Sequence, residues 1–320
     1  MARSVIVATG SYLPARVVSN DELAQKIDTS DAWIRERTGI ITRHLAAENE
    51  TTSDMAIAAA RAALVQSGLE ATAIDGVVVA TSTPDTTMPS VASKVQAALG
   101  IAGGPALDVA AACTGFVYAL AVADGWLQSG IASKVLVIGA ESMSRIIDWS
   151  DRTTSILFGD GAGAVILARN GQEKKRGILA IRLEADGKFG GILGTNGGVS
   201  TTQTAGFLFM EGQEVFRHGV EKMAGVTLDT LAKAELGLTD VTWVVAHQAN
   251  ARMIAAIARQ LKLPSEKFIV TLDRHANTSA ASIPLALDVA GREGRLKKGD
   301  IIALPALGAG LTWGCCVICW

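Results

Sequence analysis

Three side chains in this sequence have the types and settings of a reaction centre: Cys113, His247 and Asn277. Cys113 follows the apolar run 106–110 and opens an apolar stretch that continues to residue 123. It is therefore expected at the start of a central helix. A helix N-terminus favours negative charge, so a cysteine there is expected to have a lowered thiol pKa. Such a thiolate attacks thioesters and other activated acyl groups. His247 follows the β-branched run 241–246 and opens His247-Gln248-Ala249-Asn250. That strand-end position is where open α/β sheets place ligand-contacting groups. Asn277 opens Asn277-Thr278-Ser279 after the run 268–272, and alone it reads as a helix N-cap. Each residue singly has an ordinary structural reading. The three together at strand ends point to chemistry.

The elements that would bring them together come from an internal echo. A helical stretch 53–68 leads into the apolar run 74–80, and a second helical stretch 220–236 leads into 241–246. Each half then has an apolar run and a polar turn opening a helix, at Cys113 in one and Asn277 in the other, 164 positions apart (277 less 113). Each half ends in a strand, a glycine turn and another strand: 134–139 before Gly159 to Gly163, and 300–304 before Gly308 to Gly310. Helices alternating with short β-branched runs indicate α/β units with buried strands. Two such halves, 1–170 and 171–320, would place corresponding helix starts at a pseudo-twofold axis. The Gly159–Gly163 run leads into a β-branched stretch rather than a helix, which argues against a dinucleotide fingerprint.

Composition sets limits on the class. The chain has 320 residues, 49% hydrophobic and 19% charged, with a formal net charge of −2, so global charge makes no case for nucleic acid or an anionic membrane. No apolar run approaches the roughly 20 residues of a membrane helix, and the short N-terminal run does not read as a signal peptide. Four cysteines do not make a disulfide scaffold, and Cys315, Cys316 and Cys319 read as part of a buried last strand without metal-ligand spacing. The expectation is a reduced, cytoplasmic protein with no metal. Three hypotheses remain open on the residues alone. A papain-like protease uses Cys, His and Asn in this order, but its local cysteine signature is missing. A carbon–carbon condensing enzyme would use the histidine and asparagine on a second substrate. A non-catalytic binding scaffold would leave all three groups unused.

The sequence resembles the β-ketoacyl-acyl carrier protein synthase III family, the initiating condensing enzymes of bacterial fatty-acid synthesis, over essentially its whole length. The resemblance rests on Gly10-Ser11-Tyr12-Leu13-Pro14, Thr29-Ser30-Asp31-Ala32-Trp33-Ile34, Arg37-Thr38-Gly39-Ile40, residues 108–113, 158–163 and 247–250, 273–282, and Gly310-Leu311-Thr312-Trp313-Gly314. It implies a thiolase-like fold of duplicated α/β halves in five layers, α-β-α-β-α, forming a homodimer. It also implies that Cys113 takes an acyl group from acyl-CoA, and that His247 and Asn277 act on malonyl-acyl carrier protein as carbon dioxide leaves. Backbone N–H groups of Cys113 and Ala309 would form the oxyanion hole. The CoA thioester is a substrate, and no cofactor is implied. Trp33, Arg37 and Arg152 match CoA-binding positions, and Arg217, Gln248, Arg252 and Arg259 a carrier-protein face. Met88 stands where an aromatic residue from the partner subunit often limits the acyl pocket, so starters longer than acetyl are expected to fit. Asparagine at 277 separates the chain from elongating synthases. Related enzymes of quinolone, polyketide or olefin-precursor synthesis remain the alternative.

Overall fold

The β-branched runs form two mixed sheets with one strand plan. The structure is a computed structural model that describes residues 3–170 and 176–320. In the first sheet the order is Arg3–Tyr12, Gly161–Asn170, Lys134–Glu141, Gly76–Ala80, Ala106–Val109. In the second it is Gly177–Ala185, Thr312–Cys319, Ile301–Gly308, Trp243–Val244. Along both orders the first two pairings are antiparallel and the next is parallel. The fifth place of the second sheet holds only a parallel bridge from Val244 to Phe268, where the first sheet has a strand. The 268–272 run is thus no strand; its end turns into the short helix Leu272–His275.

Five layers follow from which faces are apolar. The helices Gly115–Ser129 and Ser282–Arg292 are apolar enough to be covered on both sides, and they lie between the sheets with Phe116, Leu120, Ile283 and Leu287 buried against Leu304 and Ile318. On the outer face of the first sheet, Thr52–Ser67 buries Met55 and an alanine row against Val77 and Ile166. A capping box between Thr51 and Asp54 starts that helix. Gly212–Lys233 and Ala251–Leu261 cover the second sheet. A fourth cluster, including Ile34, Ile40 and Ile146, roofs one end with the segment that carries Trp33. The boundary expected between residues 170 and 171 adjoins residues 171–175, which lie outside the described residues.

Two expected helix limits shift. The helix placed at 220–236 runs Gly212–Lys233. The helix expected from Cys113 begins at Gly115, after a single turn of 3-10 helix, Ala112–Thr114. Cys113 therefore sits in the turn that enters the helix. Cys315 and Cys316 are buried on the last strand, as expected, and they and Cys113 carry free thiols.

The halves touch backbone to backbone at several glycines, two of which set the turns of the site. A Cβ on Gly139, in the first sheet, would lie 2.2 Å from the carbonyl oxygen of Ala280 in the second half. A Cβ on Gly308, in the second sheet, would lie 2.7 Å from the Cys113 nitrogen in the first. No real Cβ tolerates such contacts with main chain, so glycine is required at both. We expect Gly139→Ala to cost ~3 kcal/mol through overpacking against backbone that cannot yield. Equilibrium denaturation in urea should show a lowered midpoint with an unchanged slope.

Candidate active site

Cys113, His247 and Asn277 line one cavity of about 310 Å³, together with Ser279 and Ala309. Each arrives on a strand-end or helix-entry turn. Ala112 before Cys113 has φ 45° and Ala276 before Asn277 has φ 58°. They stand the same 164 positions apart as the residues they precede. Left-handed backbone at alanine is strained, and its repetition at both turns shows the duplicated plan at the site itself. Asn277 does not cap the following helix. Its backbone pairs with strand-like geometry to Phe158, its N–H donating to the Leu157 carbonyl at 2.9 Å.

The polar ends of His247 and Asn277 are oriented by their buried neighbours. The Ser279 N–H donates to Asn277 Oδ1 at 2.9 Å, so the amide must turn its Nδ2 hydrogens the other way. The Ser282 hydroxyl accepts the Gln248 N–H at 3.3 Å and lies 2.8 Å from His247 Nδ1. Sending its own hydrogen to Nδ1 leaves no buried donor unused, and it places the ring proton on Nε2. Burial pushes the His247 pKa down to about 3, because the imidazolium loses its hydration. The cavity thus receives two neutral hydrogen-bond donors.

The thiol does not have the lowered pKa expected from a helix terminus. Burial, with a lesser push from the nearby Glu141 and against a lowering by the Ser279 hydroxyl, takes Cys113 up to about 12. The residue is partly exposed to the cavity, yet removal from water outweighs the helix dipole. Cys113 rests as a protonated thiol. Gly308 brings the end of its strand onto the Cys113 turn, and Thr312 Oγ1 donates to the Ala111 carbonyl at 3.2 Å. These contacts set Ala309 beside Cys113 at the cavity wall.

Trp33, Arg37 and Arg152 also meet. The guanidinium carbons of Arg37 and Arg152 lie 4.9 and 4.8 Å from the Trp33 ring centre. Arg152 also donates to the Asp28 carbonyl at 3.0 Å. On the expected carrier-protein face, Arg217 is paired with Glu214 at 2.6 Å and Arg252 with Glu36 at 3.2 Å, while Arg259 is exposed. Gln248 does not belong to that face. It is 1% exposed, its Nε2 donates to the Ala246 and Ile269 carbonyls, and its Oε1 accepts from Thr271. A side chain so enclosed holds the His247 loop and meets no partner. Met88 is 80% exposed and does not line the cavity of its own chain.

Sequence reasoning missed Ser282, Ser279 and Glu141. The two serines lie inside the quoted 273–282 motif, but the partners of their hydroxyls are 34 or more positions away. No group of three or more metal-ligating side chains occurs among the described residues.

A duplicated α/β fold with a cysteine and two neutral donors around one cavity defines a thiolase-fold condensing acyltransferase. Family models agree: 3-oxoacyl-(acyl-carrier-protein) synthase III matches residues 107–187, and its C-terminal region matches residues 231–320. The β-ketoacyl-(acyl-carrier-protein) synthase III of Rhizorhabdus wittichii is 56% identical and that of Rhodospirillum centenum 54%, each match covering 99% of both chains. The crystal structure of 3-oxoacyl-(acyl-carrier-protein) synthase III from Aquifex aeolicus superposes with a TM-score of 0.94 at 44% identity, covering 99% of this chain and all of the other. The chain belongs to the 3-oxoacyl-(acyl-carrier-protein) synthase III family.

The tautomer assignment has a direct spectroscopic consequence. Nitrogen NMR of His247 should show a neutral ring protonated on Nε2, with no titration step between about pH 5 and pH 9. Ser282→Ala should admit the Nδ1–H form. A midpoint near the ordinary histidine value would show that the ring is hydrated and that the donor assignment is wrong.

Proposed function

We propose that the protein condenses an acyl-CoA starter with malonyl-acyl carrier protein, giving a 3-oxoacyl-acyl carrier protein, CoA and carbon dioxide, and so initiates fatty-acid synthesis. The observation that carries this reading is the convergence of Cys113 with two neutral donors, His247 and Asn277, on one cavity in a chain of this family. Cys113 Sγ attacks the acyl thioester carbon, the carbon–sulfur bond to CoA breaks, and the acyl group stays on Cys113. Malonyl thioester then loses carbon dioxide, and the electron pair left behind forms an enolate. His247 Nε2–H and Asn277 Nδ2–H donate to the enolate oxygen as its charge develops. A histidine with a pKa of about 3 suits this role, because it stabilises the anion without giving up its proton. The enolate carbon attacks the acyl-Cys113 carbonyl. The Cys113 and Ala309 N–H groups stabilise the tetrahedral oxyanion, and its collapse expels Sγ.

Trp33, Arg37 and Arg152 form the nucleotide end of the CoA site. An adenine slips between indole and guanidinium, and the phosphates relieve the repulsion of two cations sharing one ring. Arg217, Arg252 and Arg259 receive the acidic carrier protein, exchanging surface glutamates for its carboxylates. Met88 reaches an acyl pocket only across a homodimer interface, and its flexible side chain there admits starters longer than acetyl. Residues 1–170 and 171–320 are the two pseudo-repeats. None of these steps calls for a resident cofactor. No helix among the described residues is long and apolar enough to cross a membrane.

Incubation with malonyl-acyl carrier protein and acetyl-, butyryl- or octanoyl-CoA, with products identified by mass, tests the reading. Condensation products should appear, including some beyond the acetyl-derived one. Asn277→Ala or His247→Ala should slow decarboxylation by about 100-fold or more while Cys113 is still acylated. If either variant blocks acylation as fully as Cys113→Ala, the division of roles is wrong. Trp33→Ala should raise KM for acyl-CoA by about tenfold with little change in kcat, the mark of lost uniform binding.

A further inference from the structure

Arg43 is among the largest fully buried side chains, and the scheme above gives it no role. It lies on the short strand Thr42–Leu45, which pairs with Arg16–Ser19. Alternate residues of that strand turn inward, and the inward positions hold Arg43 and Leu45. Leu45 and Ile156 belong to the apolar cluster that roofs one end of the fold, a poor setting for a charge. No ion pair forms on Arg43 among the described residues. Burial pushes its pKa down to about 10, so it is still a cation at neutral pH. Such a cation costs stability. What it supplies is a bridge.

Both bonds of that bridge leave from one nitrogen. Nη2 donates to Asn20 Oδ1 at 2.9 Å and to the Ile156 carbonyl at 3.1 Å. A guanidinium only donates, so Asn20 must turn Oδ1 toward it and Nδ2 away. Nδ2 then donates to the Asp31 carboxylate at 2.9 Å and to the Ile40 carbonyl at 2.8 Å. Asp31 opens the helix Asp31–Thr38, which carries Trp33 and Arg37, and Ile40 follows its end.

On the other side, Ile156 follows the short helix that begins at Arg152, the second cation on the Trp33 ring. The chain then holds Asn277 by both of its backbone groups. The Asn277 N–H donates to the Leu157 carbonyl at 2.9 Å, and the Gly159 N–H donates to the Asn277 carbonyl at 3.1 Å. The Asp160 N–H returns to the strand of Arg43, donating to the His44 carbonyl at 2.8 Å. Segment 156–160 is therefore clasped between Arg43 and His44 on one side and Asn277 on the other, with Leu157 and Phe158 on the cavity wall. Gly159 permits the clasp: a Cβ there would lie 2.8 Å from the His275 carbonyl oxygen and 3.2 Å from the Arg43 Cβ.

We propose that Arg43 is a positioning residue that fixes the nucleotide end of the CoA site and the Asn277 amide relative to each other. One arm runs from Arg43 through Asn20 and Asp31 to the Trp33 helix. The other runs through Ile156 and Leu157 to Asn277. Both arms start at the same nitrogen, so a shift of either strains the other. The starter's nucleotide and the amide that acts on the malonyl thioester are thus held to one frame. The inference rests on the proposed roles of Trp33 and Asn277, and the test separates the two.

Acetyl transfer to Cys113 is measured from acetyl-CoA and from acetyl-pantetheine, which lacks the nucleotide, together with carbon dioxide release from malonyl-acyl carrier protein. Arg43→Met keeps most of the side-chain bulk and removes both bonds. It should raise KM for acetyl-CoA about fivefold, leave KM for acetyl-pantetheine within about twofold, and lower kcat for decarboxylation about tenfold. Asn20→Ala cuts one arm only. It should reproduce the KM rise for acetyl-CoA while decarboxylation stays within about twofold of wild type. A merely structural role would move KM for acetyl-pantetheine as far as KM for acetyl-CoA, and that result in either variant overturns the inference. Unchanged decarboxylation in Arg43→Met, or an equal fall in Asn20→Ala, overturns it as well. Wild-type enzyme that takes acetyl from neither donor overturns the functional reading itself. Where Arg43→Met does not fold, Asn20→Ala decides alone: a KM rise confined to acetyl-CoA supports the bridge, and an unchanged KM overturns it.

Discussion

The site depends on an exchange of backbone contacts between the two halves. The first sheet offers Gly139 to the Ala280 turn of the second half, and the second sheet offers Gly308 to the Cys113 turn of the first. Both glycines lie on equivalent strands, next to the antiparallel partner in each sheet. Main chain against main chain leaves no side chain to repack, so the relative position of the turns is closely set. Cys113, Ser279 and Ala309 inherit their positions from these contacts. The strained alanines before Cys113 and Asn277 are tolerated because the surrounding sheets and central helices determine the turns from both sides.

Desolvation then decides the electrostatics. An enclosed apolar cavity disfavours every charged form, pushing the Cys113 thiol up and the His247 imidazole down. The consequence is a centre of neutral groups: a thiol, an imidazole with its proton on Nε2, and an amide. Neutral donors in a dry site act more strongly on an enolate than hydrated charges would, and they need no reorganisation when the charge appears. The same dryness makes a preformed thiolate costly.

Much of this was legible in the sequence, for identifiable reasons. Cys113, His247 and Asn277 stand at the ends of apolar runs, and the internal echo linked two of them before any coordinates. Trp33, Arg37 and Arg152, grouped through the family motifs, do meet in space. The sign of the Cys113 shift was not legible, because the dipole argument uses one helix while desolvation depends on everything around the sulfur. Gln248 was misread for a similar reason: a polar residue beside the cavity histidine looks accessible until its three hydrogen bonds show it spanning the loop from inside. Glu141 was invisible because its partners come from residues 81–83 and 279, segments that only the sheet order and the glycine contacts bring together. The 268–272 run looked like a strand because it is apolar and β-branched, yet only Phe268 reaches the sheet before the chain turns toward Asn277.

Interior and rim are built on opposite principles. Inside, the polar ends of the two donors have fixed partners behind them: Ser282 behind His247 and the Ser279 N–H behind Asn277. At the rim the groups assigned to binding are held by surface pairs, Arg217 with Glu214, Arg252 with Glu36 and Arg152 with Asp28. Exposed pairs are worth little in water and are screened by salt, so an anionic partner exchanges them at small cost. That difference suits a reaction whose two substrates must each arrive and depart while the acyl group stays. Loose outer contacts permit turnover of large thioester carriers. Fixed inner donors keep stabilisation for the enolate and the tetrahedral oxyanion, the states that form only while the reaction is under way.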